Sequence, residues 1–191
     1  MSSIKGTKTE QNLLKAFAGE SQARNRYTYF AEKAEAEGFI QIARIFSETA
    51  DQEREHAERF FSFLEGGDLE IQAAYPAGKV GTTAENLAHA AAGEHMEWTE
   101  LYKGFAATAQ QEGFSQVAAV FNAVCVAEKQ HEKRYNKLRE NVVKGEVFKK
   151  PGKVLWACMN CGYIYEGEEA PKKCPACGYP QAYYEMIREN W

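Results

Sequence analysis

Apolar side chains recur at steps of three and four along most of the chain before residue 144. Leu13, Phe17, Tyr27 and Phe30 form one such series, and Phe39, Ile42, Phe46, Phe60 and Leu64 form the next. Leu87, Ala91, Trp98, Leu101 and Phe105 make a third, and Phe114, Val117, Phe121, Val124, Tyr135 and Leu138 a fourth. This is the helix period. It predicts helices at about 9–36, 39–65, 84–112 and 115–143, with tight joints at Gly38 and Gly113. The second and third are separated by Gly66–Thr83, which contains Gly66-Gly67, Pro76 and Gly78. Two antiparallel hairpins joined by one long crossover make the ferritin-like kind of four-helix bundle. Thr9, Thr82 or Thr83, and Ser115 are the expected N-caps, with Thr82 and Glu85 spaced for a capping box. The pattern stops near a basic stretch marked by Gly145, Pro151 and Gly152. It reads as a boundary and predicts domains at 1–146 and 147–191.

The helical region repeats. Glu37-Gly38-Phe39 returns as Glu112-Gly113-Phe114, Glu53-x-x-His56 as Glu128-x-x-His131, and Tyr27 as Tyr102, all at an offset of 75. Ala18-Gly19-Glu20 returns as Ala92-Gly93-Glu94 at 74, so the third predicted helix contains one extra residue. Glu and His three apart share a helix face. Here that face is the apolar one: Ile42, Phe46, Thr49, Glu53, His56 and Phe60 form one stripe, and Val117, Phe121, Cys125, Glu128, His131 and Tyr135 its counterpart. Counted from the turns, Glu20, Glu53, Glu94, Glu97 and Glu128 lie within about 6 Å of one level. Five inward carboxylates cannot all be buried as bare anions. Two metal ions solve the problem. A glutamate from each of two helices plus Glu-x-x-His from the other two is the di-iron or di-manganese carboxylate pattern. Glu97 has Ala23 as its counterpart and breaks the symmetry. Tyr27 and Tyr102 are placed either to bond ligand carboxylates and supply protons, or simply to pack. His89 and His95 read as structural or surface residues, and Cys125 as a buried, inert thiol.

Four of the five cysteines lie in the tail, as Cys158-x-x-Cys161-Gly162-Tyr163 and Cys174-x-x-Cys177-Gly178-Tyr179, 12 residues apart. Two such turns facing each other make a tetrahedral thiolate site for zinc or iron. So short a segment draws much of its stability from the metal. Trp156, Tyr163, Tyr165, Tyr179 and Tyr183 are expected to surround it. The remaining composition is mostly exclusionary. The 191 residues carry 23 Lys plus Arg against 27 Asp plus Glu, a net charge of -4 that gives no reason to expect nucleic acid. No apolar run reaches the roughly 20 residues of a membrane span. No secretory signal is visible in MSSIKGTKTEQ, so a cytoplasmic location is expected.

On Glu20, Glu53/His56, Glu94, Glu97, Glu128/His131 and the four cysteines, the chain closely resembles the rubrerythrin family over essentially its whole length. The resemblance implies a mainly α fold: a ferritin-like di-iron bundle followed by a small β-rich rubredoxin-like domain. It implies two iron ions in the bundle and one held by Cys158, Cys161, Cys174 and Cys177. It implies reduction of hydrogen peroxide to water, with electrons relayed from the four-cysteine iron to the pair and supplied by a separate electron-donor protein. Glu97 would exchange with His56 as a ligand of one iron, and the chain would form a homodimer. A ferroxidase using the same bundle is the alternative. An oxygen-consuming oxidase and a non-enzymatic zinc-ribbon binding module are further readings.

Overall fold

The computed structural model describes residues 3–190. Its helices are α1 (Lys8–Ala36), α2 (Ile40–Phe61), α3 (Thr83–Met96), α4 (Tyr102–Gln111) and α5 (Ser115–Val143). A single π-helical turn, Glu97–Leu101, joins α3 to α4, so these make one continuous rod. Among the described residues, no helix is long and apolar enough to cross a membrane.

Both tight joints are built alike. Gly38 and Gly113 adopt φ of +82° and +86°, the left-handed conformation that glycine accepts without strain. The following amide then reaches back across the helix end, from Phe39 to the Ala34 carbonyl and from Phe114 to the Ala109 carbonyl, each at 2.8 Å. The glutamate before each glycine reaches the opposite hairpin. Glu112 accepts from the Lys8 and Thr9 amides at the start of α1. Glu37 accepts from the Thr83 amide at the start of α3. The repeated Glu-Gly-Phe thus turns one hairpin and caps the other.

Three local expectations need correcting. Thr7, not Thr9, caps α1, because Thr9 is already inside the helix and its hydroxyl bonds to Glu112. Ser115 provides no cap, since α5 starts from Phe114 without a side-chain bond. The second helix ends at Phe61 rather than 65, where Glu65 turns away to accept from the Ile4 amide. The capping box of Thr82 and Glu85 is present.

The bundle core is divided in two. Tyr27, Phe30, Ile42, Phe46, Leu87 and Tyr135 belong to one cluster near the Gly38 turn. Leu13, Phe60, Tyr102, Val117 and Phe121 belong to the other. Each fully buried side chain of this kind contributes about 1.5–3 kcal/mol. On every helix the metal-ligand candidates fall at the seam: Glu20 between Ala16 and Ala23, Glu53 between Ala50 and Phe60.

The tail forms β1 (Lys149–Cys158), β2 (Ile164–Glu169) and β3 (Tyr184–Met186) in the antiparallel order β2-β1-β3. It rests on the Gly38 end of the bundle. There Phe148 stacks on Phe39, and Gln41 donates to Glu185.

Candidate metal centres

The extra residue inferred from the shift in repeat offset is absorbed in the π turn, between Glu94 and Tyr102. Widening one turn resets the helix phase. Glu94 and Tyr102 can then match Glu20 and Tyr27 despite the insertion. Glu97 opens the turn and is buried, 8% exposed.

Two groups of side chains offer ligand atoms within 4.8 Å of one another: Glu20, Glu53, His56 and Glu128, and Glu53, Glu94, Glu128 and His131. The groups share Glu53 and Glu128. The arrangement is that of two ions with Glu20 and His56 at one, Glu94 and His131 at the other, and two glutamates common to both. Glu97 is in neither group, so the structure brings His56 into the candidate ligand set and leaves Glu97 beside it.

The polar atoms at this seam crowd together, and only some of them find hydrogen-bond partners: His56 Nδ1 bonds Glu53 Oε2 at 3.2 Å. His131 Nδ1 lies 2.8 Å from Glu128 Oε2, yet without the alignment of a hydrogen bond. Glu20 Oε2, Glu53 Oε1, Glu94 Oε2 and both Glu128 oxygens are likewise buried without a hydrogen-bond partner. Orphaned oxygens of this kind are costly unless a cation takes them up. The donor set of four carboxylates and two imidazoles fits iron or manganese.

Electrostatics follow from this crowding. Burial first, then the charges of neighbouring glutamates, raise the carboxyl groups of Glu20, Glu94 and Glu97 well above their ordinary range. Burial also works against ionisation of Glu53, but His131 and His56 beside it bring it down to about 2. Those carboxylates in turn overcome the desolvation of His56 and His131 and hold them up at about 10 and about 12. Without metal, protons do the neutralising.

Both tyrosines bond across the bundle. Tyr27 Oη donates to Glu94 Oε1 at 2.6 Å, and Tyr102 Oη donates to Glu20 Oε1. Burial and these glutamates keep both phenols protonated far above their ordinary range. Gln52, which sequence reasoning missed, lies with Oε1 2.9 Å from His131 Nε2. Bonding there holds the ring proton at Nε2 and leaves Nδ1 facing the carboxylates. No local signal marks this residue, because its partner is on another helix. His89 is exposed, His95 pairs with Glu132 on the surface, and Cys125 is buried, free and pushed up by burial.

In the tail, the two Cys-x-x-Cys turns are near copies. Gly162 and Gly178 share φ of +77°, and their amides bond back to the Cys158 and Cys174 carbonyls. Cys158 and Cys177 Sγ are 3.8 Å apart, and Cys161 and Cys174 Sγ 3.7 Å. A tetrahedral ion with metal–sulfur bonds of about 2.3 Å needs sulfur separations of about 3.8 Å. The cage fits. Burial resists ionisation of Cys174, but the Tyr184 hydroxyl and nearby amides bring it down to about 6. Cys161 rises to about 12, because the other three sulfurs outweigh a backbone hydrogen bond. The expected aromatic shell is thinner than predicted. Trp156 is fully buried, while Tyr165 and Tyr179 are 38% and 40% exposed. The fully buried tyrosine is instead Tyr184, on β3.

The Rubrerythrin family pattern matches residues 11–139, and that of the rubrerythrin rubredoxin-like domain matches 156–185. The chain belongs to the rubrerythrin family. It is 58% identical to a rubrerythrin of Porphyromonas gingivalis, over 99% of this chain and 94% of that one. It is 55% identical to a rubrerythrin of Nitratidesulfovibrio vulgaris over the full length of both. A solved structure of nigerythrin in its fully reduced, all-ferrous state aligns with a TM-score of 0.64 at 31% identity, covering 97% of this chain and 92% of that one. Membership makes this chain a redox enzyme of rubrerythrin type, with a di-iron carboxylate site in the bundle and a separate four-cysteine iron site in the tail.

Proposed function

We propose that the protein is a peroxidase reducing hydrogen peroxide to water, with electrons delivered singly through the four-cysteine site to the bundle. The observation that carries this reading is the pairing, in one chain, of two ligand groups sharing Glu53 and Glu128 with a second, all-thiolate cage. When bound, iron supplies Lewis acidity and two electrons at the first site and one-electron transfer at the second. The reaction consumes two electrons and two protons per peroxide and yields two waters.

The chain's own groups handle charge and protons. Glu53 and Glu128 span both ligand groups and hold them at a fixed separation. Tyr27 and Tyr102 orient Glu94 and Glu20 and keep a proton on each phenol oxygen beside the site. Glu97 lies buried next to the pair, its carboxyl raised by burial and neighbouring glutamates in the metal-free chain, and in this reading it exchanges places with His56. Cys161 is the exposed edge of the thiolate cage, the side open to an electron-donor protein. A homodimer in which one subunit's tail approaches the other's bundle, in the cytoplasm, completes the proposal.

The test is Cys161→Ser. A chemically prereduced variant should still be oxidised once by peroxide, while steady turnover with an electron-donor protein collapses. Sustained turnover with an empty four-cysteine site rules the relay out. Iron accumulating beyond two per bundle, without need of the tail, would establish the ferroxidase instead.

A further inference from the structure

The crossover does more than join the hairpins. Residues 72–76 run over the groove between α1 and α3 and close a cavity of about 320 Å³. Its floor includes Glu97, and its walls include Gly19, Arg26, Met96 and Phe105. The roof is Tyr75, whose hydroxyl donates to the Lys15 carbonyl at 2.9 Å and so pins the segment to α1. Hydrogen peroxide has two heavy atoms and needs no such volume. This size, with mostly apolar walls and a few polar groups, is that of a small-organic-ligand pocket.

The charged and amide groups of the lining are Lys15, Gln22, Arg26, Gln72 and Glu97. Arg26 has its Nε buried without a hydrogen-bond partner, and its charge is felt at Glu97. The two repeat glycines keep the space open. A Cβ on Gly19 would stand 3.7 Å from the Tyr75 ring, and one on Gly93 4.0 Å from the Arg26 guanidinium. These glycines immediately precede Glu20 and Glu94. The cavity therefore adjoins the metal-ligand groups where glutamate from each of two helices enters them, and Met96, Leu101 and Phe105 give it apolar wall.

We propose that this cavity is a substrate pocket for alkyl hydroperoxides with a compact apolar group, such as cumene or tert-butyl hydroperoxide. The apolar group lies among Tyr75, Met96 and Phe105, and the peroxide oxygens lie toward Arg26 and Glu97. The proposal rests on the peroxidase reading and extends its substrate class. The O–O bond breaks, two electrons arrive from the same external one-electron donor protein, and two protons come from solvent. One oxygen leaves as the alcohol and the other as water.

The pocket can be tested apart from turnover, on the full metal-loaded chain. The probe is 2-phenyl-2-propanol, the product alcohol, which has no O–O bond. Ligand-observed saturation-transfer NMR should show saturable binding to the wild type. Ala74→Trp should weaken it at least ten-fold by filling the cavity from the exposed crossover, where no core packing is disturbed. Ala73→Trp is a second filling variant on the same segment. In turnover, the kcat/KM ratio of cumene hydroperoxide to hydrogen peroxide should fall ten-fold in both. Absence of saturable binding, or wild-type binding in both variants, overturns the pocket even if hydrogen peroxide is reduced. Failure to reduce hydrogen peroxide would instead overturn the peroxidase reading, and the alcohol would still decide the pocket.

Discussion

The bundle and the tail hold their metals in opposite ways. In the bundle, two apolar clusters flank the ligand seam, and the turns cap each other's hairpins. The ligands are a cost that this frame carries. In the tail, the buried core consists of Trp156, Cys158, Ala170, Cys174 and Tyr184, so two of its five members are themselves ligands. There the ion supplies much of the fold. The difference lies in which site can rearrange its ligands as metal charge changes. A site inside an independent frame can shift its ligands, whereas a site that is its own frame must keep all four sulfurs.

The largest break in this contrast should come from Cys174→Ser. Structural thiolate sites contribute on the order of 10–16 kcal/mol to small metal-bound domains. The tail should unfold, seen as loss of the ordered Trp156 signal in near-ultraviolet circular dichroism. Helix content should remain, and donor-driven turnover should vanish. Glu128→Ala comes next. It removes a ligand common to both groups, so iron in the bundle should fall from two ions toward none by metal analysis. The helices should still form.

A third prediction sharpens the comparison through pH. In metal-free protein, His56 and His131 titrate at about 10 and about 12, above an unfolded value near 6.5. Folded groups with raised pKa bind more protons than unfolded ones, so their stabilisation is complete below the unfolded value. It is lost as pH rises through the folded value. Glu20, Glu94 and Glu97 are also raised and act with the same sign, starting above about 4.5. Glu53, lowered to about 2, opposes them only at acid pH. The metal-free bundle should therefore lose thermal stability from pH 6 to 10, by about 2–4 °C per kcal/mol. The iron-loaded bundle should change little over that range. Scanning calorimetry of both forms checks it.

Glu97→Ala should leave two irons bound but slow peroxide turnover by about 10–100-fold, the range for residues that support a metal site without holding it alone. Unchanged turnover would make the π turn a mere accommodation of the extra residue. The smallest effects belong to Tyr27→Phe and Tyr102→Phe. Each removes one bond to a charged carboxylate, about 1.5–3 kcal/mol. The two halves should lose similar amounts in thermal unfolding, because the bonds are pseudo-equivalent.

Much of the molecule was legible because its determinants are local. Helix period, the Glu-Gly-Phe turns, Glu-x-x-His on an apolar stripe and paired Cys-x-x-Cys each lie within a few residues. The offset change from 74 to 75 announced an extra residue between Glu94 and Tyr102. That it would be taken up as one π turn was not legible, because a bulge, a kink and a longer turn leave the same trace in sequence.

The sequence by itself determined which side chains face inward and at what level, since a helix converts spacing into direction without help from its neighbours. Tertiary structure decided everything that depends on how two helices meet. It paired Tyr27 with Glu94 and Tyr102 with Glu20, set Gln52 against His131, and sent Glu37 and Glu112 to the opposite hairpins. It also brought His56 into the candidate ligand set with Glu97 beside it, and laid the crossover over the groove between α1 and α3. The hydrogen bonds among these join residues at least 46 positions apart, and contacts of that range follow from packing of the assembled chain rather than from any local period.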